Sequence, residues 1–197
     1  MRSVLLDPVT SVHDAVAHYD KNGLFWMRDV LRPDQVEELK QLAAQRFEVA
    51  FNALRDKQDF CEKNRMPVPH RFSEIFQKDG GRYDCRYGMH MQPFMSLFRC
   101  DGWASCLVPM LHRVIGEDAY VATLGLIVAK GSSAVLASSD HHGRSSDQAW
   151  HIDGKSHEGA EARALTVFIP LCDITQTNGA TEFHVGSHCV DGSVDIG

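Results

Sequence analysis

No apolar run in this chain approaches the roughly 20 residues that a membrane-spanning helix needs, so no membrane partner is expected. No stretch concentrates lysine or arginine, and the net charge is -6. A nucleic-acid partner is therefore not expected, because neutralising a phosphate backbone takes clustered cations. The cysteines Cys61, Cys85, Cys100, Cys106, Cys172 and Cys189 form no CxxC pair and match no zinc cassette. Their even number leaves disulfides formally open. With no secretory or organelle-import signal at the start, reduced thiols in a cytoplasmic or otherwise intracellular compartment are expected. Internal repeats, low-complexity tracts and a second-domain boundary are also lacking. What remains, at 197 residues with 44% hydrophobic and 23% charged content, is one globular domain, 1–197.

The chain opens with helical signals. Thr10 or Ser11 can cap a short helix, with Asp14 completing a capping box and Asn22-Gly23 as the stop. Leu24 to Met27 suits a short strand. Pro33 fits the first turn of a long helix in which Val36, Leu39, Leu42, Ala43, Phe47, Ala50, Phe51 and Leu54 recur at three or four residues. Such a stripe predicts packing against a sheet. From Arg55 to Arg99 the periodicity is poor and Pro67, Pro69, Gly80, Gly81 and Gly88 punctuate an expected long excursion, with His70, Arg71, His90 and Gln92 its most notable polar residues. Ala104 to Ile115 reads as a helix with Pro109 near its start, and Tyr120 to Ala129 as a strand. Ala134 to Ala137 can pair nearby, and Asp140, His141 and His142 fall in a polar loop. Arg163 to Ile169 is a further strand, and Asn178-Gly179 a turn before Ala180 to His184. The expected class is α+β, mainly antiparallel, with 1–115 as a helical and loop-rich support and 120–197 carrying the later strands.

The chemistry gathers at Gln148-Ala149-Trp150-His151-Ile152-Asp153. In a strand, residues two apart point to one face, so His151 and Asp153 would present an imidazole and a carboxylate together. These are two of the three donors in a 2-His-1-carboxylate iron site. Thr166 and Phe168 share a face of the following strand by the same rule.

The ordered set Asn22-Gly23-Leu24-Phe25, Asp29-Val30-Leu31-Arg32-Pro33, Gln148–Asp153, Leu165–Leu171, Asn178-Gly179-Ala180 and Val185-Gly186-Ser187-His188 resembles the phytanoyl-CoA dioxygenase family of Fe(II)- and 2-oxoglutarate-dependent oxygenases. Val185 departs from the proline common at that turn. The resemblance implies a double-stranded β-helix, or jelly roll, with N-terminal helices against its larger sheet. It implies Fe(II) held by His151 and Asp153, and 2-oxoglutarate as co-substrate near Thr166, Phe168 and Gln148. The implied reaction couples decarboxylation of 2-oxoglutarate to hydroxylation of an aliphatic carbon in a small organic or acyl substrate.

The family also needs a distal histidine and an arginine whose fork holds the far carboxylate of 2-oxoglutarate. After Arg163 this sequence has no arginine or lysine. Its later histidines are His184 and His188, and His188 lies in the Gly-Ser-His turn that precedes the distal ligand in relatives. His157 sits in a loop that the family pattern does not use. The expectation is therefore an incomplete β-helix lacking its C-terminal strands, truncated relative to an active form and open to self-association through exposed sheet edges. Two functions follow: a dioxygenase active in a longer form, or an inactive dioxygenase-like protein with a binding or regulatory role.

Overall fold

The computed structural model describes residues 7–78, 82–87, 94, 97, 105–129, 151, 164–175 and 180–189. Its first helix, α1 (Val12–Asn22), begins where Ser11 Oγ accepts the Asp14 backbone N–H at 3.1 Å. It ends at Gly23, whose φ of 77° gives the left-handed turn that glycine adopts without a Cβ penalty. The expected strand at Leu24–Met27 does not form. That stretch touches the preceding chain through Val9 N–H donating to Trp26 O at 2.9 Å, and no ladder continues from it.

Helix α2 (Pro33–Lys63) is longer than its apolar stripe. The stripe ends at Leu54, but good helix formers such as Arg55, Lys57, Gln58 and Glu62 carry the backbone on. Leu39, Ala43, Ala50 and Leu54 are buried, with Leu42, Phe47 and Phe51 packed beside them. Phe47 and Phe51 stack at 5.5 Å, and both meet the ring of Tyr83 edge-on at 5.6 and 5.3 Å. That aromatic trio joins the helix to the sheet with the geometry aromatic pairs prefer.

The sheet has four antiparallel strands in chain order: β1 (Arg71–Phe72), β2 (Ile75–Gln77), β3 (Arg82–Tyr87) and β4 (Leu124–Ala129). Three of them lie in the segment expected to be an irregular excursion. Two- and three-residue strands such as β1 and β2 leave no alternation to detect, whereas the six-residue β3 alternates Tyr83, Cys85 and Tyr87 inward with Arg82, Asp84 and Arg86 outward. Ser73, with φ 52°, turns β1 into β2, and Gln58 on α2 donates to Pro69 O at 2.9 Å and Gln77 Oε1 at 3.0 Å, tying the hairpin to the helix.

Register sets two unlike faces. Tyr83 opposite Val128, Cys85 opposite Leu126 and Tyr87 opposite Leu124 point to the core under α2. Arg82 opposite Ala129, Asp84 opposite Ile127 and Arg86 opposite Gly125 point away from it. A Cβ at Gly125 would stand 2.8 Å from the Cys85 carbonyl oxygen, so only glycine lets these strands approach here. Helix α3 (Val108–Ile115) follows a 3-10 turn at Ser105–Leu107, has Pro109 in its first turn, and packs against α1 with Met110 and Val114 buried.

The result is an α+β fold with N-terminal helices on one face of an antiparallel sheet, and among the described residues that sheet does not close into a barrel. Residues 164–170 join no strand ladder, although Ile169 and Leu171 reach the core. Ala134–Ala137, the Asp140–His142 loop, His90, Gln92 and Asn178-Gly179 lie outside the described residues. Cys61, Cys85, Cys106 and Cys172 are free thiols, and among the described residues no helix is long and apolar enough to cross a membrane.

Candidate functional site

Of the expected iron ligands, His151 is described and is solvent-exposed; Asp153 and Gln148 lie outside the described residues, as does His157. Thr166 and Phe168 are exposed on one side of 164–170, while Leu165 and Ile169 are half-buried on the other. Val167, between them, is also exposed, so the two-residue alternation expected there is broken at its centre. Phe168, 49% exposed, packs edge-on against Phe183 at 6.2 Å. It is neither a barrel-core aromatic nor fully solvated.

His188 has a different surrounding. Gly186 N–H donates to the Asn22 carbonyl at 2.8 Å, bringing the Gly-Ser-His turn onto the end of α1. The His188 ring lies 5.5 Å from the Tyr19 ring, and its Nε2 donates to the Asp20 carbonyl at 3.3 Å. Its Nδ1 sits over Gly23, where an added Cβ would come within 2.5 Å. Helices leave their last carbonyls unsatisfied, and an imidazole donor at that end supplies one partner. The contact joins Asn22-Gly23 to Gly186-Ser187-His188, two motifs separated by more than 160 positions. The sequence carries no signal that the two motifs meet, because no local periodicity encodes a contact at that separation.

Beneath the sheet, burial pushes the Cys85 thiol up to about 11, with the charge of Glu74 adding to it. Burial also raises the Tyr87 hydroxyl, with the neighbouring Cys85 adding to it. These are core groups that stay protonated, and neither is suited to donate to a metal.

Among the described residues, no three His, Cys, Asp or Glu side chains gather so as to hold a metal ion. Of the expected donors only His151 stands among them, and one imidazole does not make a 2-His-1-carboxylate site.

No curated protein and no solved structure matches the chain significantly. A family model does match: that of phytanoyl-CoA dioxygenase (PhyH), over residues 19–193. The match takes in the Asn22-Gly23 turn, α2, the sheet, His151 and the Gly-Ser-His turn alike. The chain therefore belongs to the phytanoyl-CoA dioxygenase family.

Proposed function

We propose that these 197 residues form a dioxygenase-like protein that does not turn over by itself and serves a binding or regulatory role. The observation that carries this reading is that, among the described residues, no three His, Cys, Asp or Glu side chains gather so as to hold a metal ion. The absence of arginine and lysine after Arg163 supports it, since the family's clamp on 2-oxoglutarate needs a bidentate cation. His151 and Asp153 are the two iron ligands this chain would contribute, with Thr166, Phe168 and Gln148 beside 2-oxoglutarate. All 197 residues belong to one domain, in which 1–115 supports a partial double-stranded β-helix over 120–197. Free thiols suit a reducing, intracellular location.

The family match favours a second reading, an Fe(II)/2-oxoglutarate hydroxylase of a small organic or acyl substrate. It requires a distal histidine and an arginine from a longer form of the chain. Succinate release from 2-oxoglutarate by the purified 197-residue protein, supplied with Fe(II) and oxygen, separates the two. We expect no succinate above the background of free iron. Coupled succinate formation that His151→Ala or Asp153→Ala abolishes would overturn the inactive reading.

A further inference from the structure

We propose that the sheet face turned away from α2 binds a phosphate-bearing ligand between Arg71, Lys78 and Arg86, beside Phe76. Register places these residues together: Arg71 pairs with Phe76, Phe76 with Asp84, and Lys78 and Arg86 follow two residues on. The Arg71 Cζ lies 4.2 Å from the Phe76 ring centroid, Arg86 Cζ 5.4 Å and Lys78 Nζ 5.9 Å. Charges that close to one centroid stand within about 11 Å of one another.

A ring quadrupole attracts each cation, but it does not cancel the repulsion among three of them at a separation comparable to the Debye length. Asp84, an acid on this face, has both oxygens taken by the Arg82 fork, at 2.8 and 3.0 Å. Glu74, in the turn between β1 and β2, stands opposite Arg86, whose N–H donates to its carbonyl at 2.8 Å, and among the described residues its carboxylate forms no ion pair. Among the described residues, Arg71, Lys78 and Arg86 have no ion pair. All three are exposed, in a chain whose net charge is -6. A local excess of unpaired cations in an acidic protein marks a place where an anion is drawn in.

The donor types narrow the anion. Two guanidinium forks and one ammonium match the several oxygens of a phosphate, and three positive charges call for a polyvalent partner where a single carboxylate would leave two unbalanced. Ile127, 55% exposed across the ladder from Asp84, offers apolar surface for the organic part of a phosphate ester.

Calorimetric titration of the full chain with tripolyphosphate tests this. Saturable binding is expected, weakened about ten-fold by Arg71→Gln or Arg86→Gln and less than about two-fold by Lys57→Gln, which removes a cation lying over Phe60 on α2. In the unaltered protein, tripolyphosphate should also protect Lys78 from acetylation, a readout that does not depend on any variant folding. The proposal fails if binding does not saturate, if citrate binds as tightly, if Lys57→Gln weakens binding equally, or if Lys78 is acetylated at one rate with and without the probe.

Discussion

Replacing Gly23, half-buried at the end of α1, by alanine should cost more than most substitutions at a helix terminus. The backbone there has φ 77°, and an L-residue in that region is strained by about 1–2 kcal/mol. The new Cβ would also meet His188, at 2.5 Å from Nδ1, 2.7 Å from Cγ and 2.9 Å from Cβ. None of those distances is tolerable, so the ring must swing out. Swinging releases the Asp20 carbonyl and the Tyr19 ring contact, a loss of about 0.5–1.5 kcal/mol for the hydrogen bond alone. Together these make about 1.5–3.5 kcal/mol. A double-mutant cycle divides the two causes. With His188→Gly as the second background the three atoms nearest the Cβ are removed, and Gly23→Ala should then cost mainly the backbone strain, about 1–2 kcal/mol. Urea denaturation followed by circular dichroism supplies the four stabilities. Additivity within about 0.5 kcal/mol would refute the contact, since residues that touch do not behave as independent sites.

Truncating Ile75 to alanine, at a fully buried position of β2, should destabilise by about 2–5 kcal/mol in the same denaturation assay; a loss under about 1 kcal/mol would place that strand outside the core. Alkaline pH probes Cys85. Its folded thiol holds its proton up to about 11 against an ordinary 9.0, so below pH 9 both states are protonated and the group contributes no pH dependence. Between pH 9 and about 11 the unfolded chain ionises first, and stability should fall. Melting temperatures measured across that window should decline less in Cys85→Ala than in the unaltered protein, and parallel declines would refute the burial argument.

Local signals were legible where local physics decides. Ser11 and Gly23 bound α1 as their chemistry requires, Pro33 opens α2, and the stripe from Leu39 to Leu54 faces the sheet. Leu24–Met27 was misread because an apolar run of four residues does not distinguish a strand from a covered coil. The hairpins at 71–87 went unseen for the opposite reason: Arg71, Asp84 and Arg86 are charged residues on an outward sheet face, and in short strands they hide the apolar half of the alternation.

The site divides in the same way. Residue type and order in His151-Ile152-Asp153 and the surrounding motifs carried the family, because donor chemistry and turn residues are written one position at a time. Composition after Arg163 likewise showed from sequence alone that a carboxylate-holding arginine is missing from this stretch. Only tertiary structure decided that His188 belongs to the end of α1, and that Arg71, Lys78 and Arg86 converge on Phe76. Both follow from strand register and chain return over long separations. Such contacts depend on how the whole core packs, which no window of neighbouring residues contains.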